Sequence, residues 1–289
     1  MSRRPWMRED VDRSSPRNIV LFFGLAFGWS WALWGPKVLL AQGIIDTWPR
    51  LPEVAAFGPT VAGIAMLYLE GGLVGLRRLV HRTIDVGFSL RWLLVAVFLF
   101  PVLTGTVLAI AMTQGATPSF PWEGELIVLP AAFVFILILG GPIQEEFGWR
   151  GYALDPLQSR FGATRGSLIL GVLWSLWHLP LFFIPTQTIY YQRPFWGLLL
   201  SVMMLSVLMT WVYNNVGGSL LVMVLMHTAF NWSQGMFPVL QTDLGSLLFI
   251  AGTIAVTAAV IVGWGPQDLV RNRPDGGHTG PDEPGGPRY

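Results

Sequence analysis

Residues 127–154 read IVLPAAFVFILILGGPIQEEFGWRGYAL, an apolar run that ends in charged side chains. About 20 helical residues, at about 1.5 Å each, cross the roughly 30 Å hydrocarbon core of a bilayer, so this stretch is long enough to span one. It carries two adjacent carboxylates, Glu145 and Glu146, where every ionisable group is costly. The stretch therefore predicts a transmembrane helix with acidic groups inside the membrane.

The composition of the whole chain agrees with this prediction. Of its 289 residues 53% are apolar and only 12% are charged, about half the share that is usual in soluble domains. The net charge of +1 produces no basic field that would attract nucleic acid. The absence of cysteine excludes disulfide frameworks, thiol nucleophiles and cysteine zinc sites. We predict an all-α polytopic membrane bundle whose surroundings are the lipid bilayer.

Eight apolar segments are long enough, or nearly so, to cross the membrane. They cover residues 18–36, 54–69, 92–113, 127–154, 168–184, 195–213, 219–233 and 246–264. We expect three peripheral helices in 18–126, a core of four helices in 127–233 and a final helix in 234–265. Residues 1–17 form an N-terminal segment, and the Pro/Gly-rich tail 266–289 is predicted to be disordered because it has too little apolar area to bury.

Two local features bear on how these helices pack. Pro59 and Pro101 predict breaks inside the second and third spans, which neighbouring helices can tolerate. Gly24 and Gly28 form a small-xxx-small face that predicts a close helix contact.

The basic residues predict the orientation in the cell membrane. With eight spans and the N-terminus inside, 15 of the 18 Lys and Arg residues fall on the cytoplasmic side. Only Lys37, Arg50 and Arg193 fall outside, so both termini are expected in the cytoplasm. On this interpretation Arg77, Arg78 and Arg82 chiefly set the topology.

Few ionisable groups remain within the spans. They are Glu145, Glu146 and Arg150 in the fourth, His178 in the fifth, and His227, with the polar Asn231 nearby, in the seventh. If each span is one straight helix, Glu145, His178 and His227 lie roughly 13 to 16 Å from the cytoplasmic edge. Asn231 follows His227 by one helical turn and faces the same volume. Three helices are therefore predicted to bring these groups to one depth.

Two kinds of chemistry suit this set of side chains. A carboxylate beside an imidazole can take a proton from water, while a second His and an Asn amide stabilise the oxyanion of a peptide bond under attack. Alternatively, Glu145, His178 and His227 are good ligands for a divalent metal such as zinc, which activates bound water. The residues alone leave both arrangements open.

Three motifs in this region resemble those of a known family. EEFGWR at 145–150 matches Glu-Glu-x-x-x-Arg, WSLWH at 174–178 is close to Phe-x-x-x-His, and HTAFN at 227–231 matches His-x-x-x-Asn. Together they resemble the CPBP (CAAX-processing and bacteriocin-processing, or Abi) family of intramembrane endopeptidases, which includes the type II CAAX prenyl endopeptidases. The resemblance covers residues 127–233, the expected four-helix catalytic core.

The resemblance implies roles for the individual residues. Glu145 and His178 would activate the attacking water, His227 and Asn231 would hold the oxyanion, and Glu146 and Arg150 would order the site. It implies a membrane-associated peptide or protein substrate, with removal of a C-terminal tripeptide after a lipidated Cys if the CAAX specificity is shared. Trp174 departs from the motif, which has Phe at this position, and we interpret it as a packing residue.

Other interpretations of the polar cluster remain. Glu146 and Arg150, four residues apart, are also what a helix-end ion pair requires. The whole cluster could serve packing in a non-catalytic protein of the same fold, acting in bacteriocin immunity or as a scaffold. A transporter with a proton relay is a third reading, which the lack of inverted repeats disfavours.

Overall fold

The computed structural model describes residues 15–49 and 54–271, and within these ranges it contains helices, turns and loops but no strand. The ten helices found there are α1 (Pro16–Ala41), α2 (Gly58–Ile84), α3 (Leu90–Thr113), α4 (Val128–Leu139), α5 (Pro142–Gly148), α6 (Leu154–Phe161), α7 (Ala163–Trp177), α8 (Phe195–Asn215), α9 (Leu220–Met236) and α10 (Asp243–Trp264). A π-helical turn, Trp149–Ala153, joins α5 to α6, and a 3-10 turn, Leu179–Phe183, follows α7. The predicted all-α bundle is confirmed.

Six segments of the described chain are long and apolar enough to cross a membrane. A seventh crossing results if α4 and the segment Pro142–Phe161, which meet at a bend of 41°, form one broken span. The predicted span 219–233, the seventh along the chain, corresponds to α9, whose 17 residues are fewer than the about 20 that a straight crossing needs. The protein is a multi-pass membrane protein with somewhat fewer full-length spans than expected.

The stretch 127–154 is not the single helix that we predicted. The helix is interrupted at Gly140 and Gly141, and Gly141 has a φ of 108°, which only glycine adopts without strain. Pro142 then starts α5, because its fixed φ suits the first turn of a helix. None of the α4 residues is buried, so α4 faces the surroundings while α5 turns inward.

Helix α2 also differs from the prediction. Pro59 lies at its first turn and does not break it, whereas Gly72, with a φ of 55°, interrupts the helical backbone further along. Helix α2 packs on α5 where Gly63 meets Gly148. A methyl group on Gly63 would lie 2.8 Å from the carbonyl oxygen of Phe147, so only glycine permits this approach. Small residues bring the two backbones together, as is usual between membrane helices.

The glycines predicted to form a close contact in α1 do not form one. A methyl group on Gly24 or Gly28 would meet no described atom within 4 Å. Helix α1 instead meets another glycine, because a methyl group on Gly58 would clash with Ala26 and Ser30 of α1.

The beginning of the predicted disordered tail is ordered. The backbone N–H of Ala163 donates to the carbonyl of Gln267 at 2.6 Å, and Asn215 donates to the carbonyl of Leu269, which is fully buried. Residues 266–271 thus pack onto the start of α7 and the end of α8. Residues 1–14 and 272–289, which contain the rest of the predicted terminal segments, lie outside the described residues.

Candidate active site

Glu145 lies in the first turn of α5, shortly after the helix interruption at Gly140 and Gly141. Its side chain is only 5% exposed, and its Oε2 accepts hydrogen bonds from the indole N–H groups of Trp174 (2.6 Å) and Trp149 (3.2 Å). Its Oε1 lies against Gly141, where a methyl group would approach it to 2.6 Å. Uncharged donors therefore hold one oxygen of the carboxylate, and the glycine leaves space beside the other.

The side chain of Glu146 forms hydrogen bonds with different partners from those of Glu145. Its Oε1 accepts from Nη1 of Arg150 at 3.0 Å and from Nδ1 of His227 at 2.8 Å, with both carboxylate and guanidinium fully buried. The predicted ion pair of Glu146 with Arg150 exists, but it lies inside the protein and includes a histidine from α9. Arg150 also stacks on Trp174, with Cζ 4.5 Å from the ring centroid.

His178 closes α7 at the point where the chain enters the 3-10 turn. Its Nδ1 lies 2.9 Å from the carbonyl oxygen of Trp174, and since a carbonyl can only accept, Nδ1 carries the proton. Nε2 is then the ring nitrogen with a free lone pair in the neutral form. The rings of Trp177 and Tyr190 hold the imidazole, with centroids 4.7 and 5.5 Å away.

Asn231 follows His227 by one turn of α9, and its side chain reaches the helix interruption at Gly140 and Gly141. Its Nδ2 donates to the carbonyl of Gly140 at 3.2 Å and would lie 3.9 Å from a methyl group at Gly141. An amide nitrogen has two N–H groups, so one is left for another acceptor. Asn231 and Oε1 of Glu145 thus flank the same glycine.

The structure brings all six predicted site residues together, although the depth argument assumed straight helices. Trp174, which we interpreted as a packing residue, lies at their centre. It binds Glu145 through its indole, accepts from His178 through its carbonyl, and packs edge-on against His227 at 5.1 Å. Its spacing of four residues from His178, one helical turn, was the sequence signal for this position.

Arg82 is a second residue whose role the sequence did not reveal. Its guanidinium, 11% exposed, donates to the carbonyls of Arg150 (2.8 Å), Gly151 (3.1 Å) and Gly218 (3.1 Å) and also binds the Tyr213 hydroxyl. The first two carbonyls belong to the π-helical turn, a geometry that is common at functional sites. Arg82 is therefore not merely a topology signal, since it holds the turn that follows the two glutamates.

Tyr190 covers His178 from the loop between the 3-10 turn and α8. Part of its side chain reaches the surface, but the hydroxyl lies among protein atoms. Burial raises the pKa of this phenol, and the charge of Glu145 raises it further. Tyr190 is thus a neutral hydroxyl close to the carboxylate.

The histidines and carboxylates of the site are also the residue types that bind metal ions. Both histidines bind an oxygen through Nδ1 and leave Nε2 free, which is the orientation that metal-ligating histidines adopt. Across residues 15–49 and 54–271, however, no three His, Asp or Glu side chains are arranged to share an ion. In the described ranges Glu145, His178 and His227 therefore do not form a three-ligand group.

Known proteins resemble this chain in the region that carries the site. Residues 127–233 match the family described as type II CAAX prenyl endopeptidase Rce1-like. These residues include all six predicted site residues as well as Trp174 and Tyr190. Residues 127–233 are thus similar to the Rce1-like family.

One curated relative adds to the assignment. CAAX prenyl protease 2 of Methanococcus maripaludis is 33% identical over 130 residues, which are 42% of this chain and 48% of that protein. The similarity thus spans about half the length of the relative.

Proposed function

We propose that this protein is an intramembrane endopeptidase that hydrolyses a peptide bond of a membrane-associated protein or peptide. The observation that carries the proposal is the environment of Glu145, a buried carboxylate hydrogen-bonded through Oε2, with Oε1 beside Gly141 and Asn231. A fixed carboxylate with one accessible oxygen is what a general base requires.

Attack by water is the first step of the proposed reaction. Oε1 of Glu145 takes a proton from water, while Nε2 of His178 accepts the second hydrogen bond of that water and orients it. The water oxygen forms a bond to the carbonyl carbon of the peptide, and the carbonyl π electrons move to its oxygen. The free Nε2 of His178 follows from the bond between its Nδ1 and Trp174.

The resulting oxyanion needs donors that are already in place. Asn231 supplies the amide N–H that is not bound to Gly140. His227, with Nδ1 bound to Glu146, has Nε2 available and donates from it when doubly protonated. The Glu146 carboxylate is then the counter-ion of the imidazolium.

Collapse of this intermediate completes the hydrolysis. The carbonyl re-forms, the carbon–nitrogen bond breaks, and the proton held by Glu145 passes to the leaving amine. One water is consumed, a carboxyl group and an amine are released, and Glu145 returns to its starting state. No metal takes part in this scheme, which makes the protein a glutamate-type endopeptidase.

The substrate class is proposed by similarity. The relative is named a CAAX prenyl protease, so we propose CAAX-type processing here, the release of a C-terminal tripeptide after a lipidated Cys. The segment 127–233 supplies the catalytic core, and the remaining helices form the periphery.

The test uses the full chain in lipid nanodiscs with a farnesylated peptide labelled on either side of the expected cut. We expect wild-type cleavage and its loss in Glu145→Gln, which keeps the shape of the side chain but is no base. Glu125→Gln, at an exposed position in the loop before α4, should cleave normally. Equal turnover in wild type and Glu145→Gln would reject Glu145 as the base, and absence of cleavage by wild type would favour the non-catalytic immunity or scaffold alternative.

We also propose that the protein lies in the cell membrane with both termini in the cytoplasm. The chain contains no cysteine, so single cysteines report the topology without background. In intact cells an impermeant thiol reagent should label Thr117→Cys, in the loop after α3, but not Val86→Cys, in the loop after α2. Both positions are exposed, and the reverse labelling pattern would contradict the orientation.

A further inference from the structure

We infer that Trp174 and Trp149 are positioning residues that bind one oxygen of Glu145 and thereby assign the other oxygen, Oε1, as the proton acceptor. The inference deepens the proposed function and rests on it. The two indoles come from different elements, α7 and the π-helical turn, and meet at a single atom, Oε2.

The first step of the argument is the number of hydrogen bonds at Oε2. A carboxylate oxygen has about two lone-pair sites, and the two N–H groups at 2.6 and 3.2 Å fill both. A proton arriving at Oε2 would have to displace a donor. Oε1 has no hydrogen-bond partner within the described part of the chain, so it is the oxygen that can accept the proton.

The second step concerns the direction in which Oε1 points. It lies against Gly141, the residue next to the Asn231 amide. Because Trp174 fixes Oε2 on the opposite side, rotation of the carboxylate away from this glycine would break the shorter hydrogen bond. The two indole hydrogen bonds therefore select the reactive oxygen and hold it beside the group that is proposed to bind the oxyanion.

The third step explains why an indole is used at position 174. The motif has Phe at this place, and a Phe ring would also pack against His227, but it has no N–H. Arg150, the cation nearest to the indole, is directed to Glu146 and stacks on the Trp174 ring face. Trp174 thus separates the two glutamates into a base held by neutral donors and an ion pair that holds His227.

The experiment compares Trp174→Phe with Trp122→Phe. Trp122, half-buried in the loop before α4, also donates one indole hydrogen bond, to the carbonyl oxygen of Met236 at 2.9 Å. The two substitutions remove the same atoms, and only one of them frees the Glu145 carboxylate. Trp122→Phe is therefore the control.

We expect kcat of Trp174→Phe to fall about 10- to 100-fold, the range for losing a hydrogen bond to a charged group, with KM unchanged. Trp122→Phe should keep kcat within about twofold. A packing role alone would change both variants alike or act on KM. Trp149→Phe, which removes the longer hydrogen bond, should lower kcat by a smaller factor, and it serves if Trp174→Phe does not fold.

The outcomes separate this inference from the proposed function. If wild type cleaves the peptide and Trp174→Phe has the kcat of Trp122→Phe, the positioning role of Trp174 is overturned while the endopeptidase stands. If wild type cleaves nothing, the proposed function fails and the assignment of Oε1 fails with it. A loss of kcat in Trp174→Phe that the control does not show, together with a smaller loss in Trp149→Phe, supports the inference.

Discussion

Nδ1 of His227 lies 2.8 Å from Oε1 of Glu146, although 81 residues separate them in the chain. The same oxygen accepts from Arg150, so α5, the π-helical turn and α9 meet at one fully buried carboxylate. The neighbouring carboxylate, Glu145, takes no part in this contact. Two adjacent glutamates thus have different surroundings. Glu146 contacts Arg150 and His227 and has a structural role, whereas uncharged donors hold Glu145 and leave one of its oxygens free to react.

Replacing Glu146 should destabilise the protein more than replacing the whole ion pair. Glu146→Leu leaves the guanidinium of Arg150 buried without a counter-ion, which costs about 3 to 5 kcal/mol. In Glu146→Leu/Arg150→Met the stranded charge is gone, so part of the loss should be recovered. Thermal unfolding in detergent measures both variants, and a double variant less stable than the single one would contradict the prediction.

Arg82 should stabilise the π-helical turn. Arg82→Met removes charge-assisted hydrogen bonds to three carbonyls, each worth about 1.5 to 3 kcal/mol, and should raise amide hydrogen exchange in residues 149–155. Arg77→Met, at an exposed position on the same helix, is the control and should leave this exchange unchanged. Equal exchange in both variants would show that Arg82 does not hold the turn.

Asn231 should act on the rate more than on substrate binding. Asn231→Ala removes a donor to the proposed oxyanion, and losses of about 100- to 1,000-fold in kcat are typical for such donors. Asn214→Ala offers a control, because Asn214 binds Gln158 and the carbonyl of Asp268, away from the site. A kcat for Asn231→Ala within twofold of wild type would remove Asn231 from the oxyanion site.

Cleavage should persist after removal of metal ions. The donors do not form a three-ligand group within the described ranges, and the proposed base is Glu145 itself. We therefore expect unchanged kcat after dialysis against a strong chelator, with the metal content measured in the same sample. Loss of activity that zinc restores would contradict the metal-free scheme and support the zinc alternative predicted from the residue types.

The candidate residues could be predicted from the sequence to a large extent. Glu145, His178 and His227 stand out because ionisable side chains are rare in apolar segments, and Asn231 lies one turn from His227 on the same face. These signals are local and survive errors in helix geometry. The single straight helix over 127–154 was wrong because Gly140 and Gly141 interrupt it, which a hydropathy pattern does not register.

The partners of these residues were not accessible in the same way. Trp174 has an ordinary side chain for a membrane helix and Arg82 resembles any basic residue at a helix end, so their importance depends on what another helix places opposite them. The six residues after Gly265 looked like the beginning of a disordered tail, yet they are held by Asn214, Asn215 and the backbone of Ala163. Composition describes what a segment can bury by itself and omits what neighbouring helices offer it.

By itself, the sequence determined that this chain is a helical membrane protein with acid, imidazole and amide groups inside its spans. Only the tertiary structure decided which glutamate pairs with Arg150 and His227 and which is held by two indoles. The physical reason is that hydropathy and helical spacing act within one segment, while hydrogen bonds and charge pairing here join α5, α7 and α9. The division of roles between Glu145 and Glu146 exists only where those helices meet.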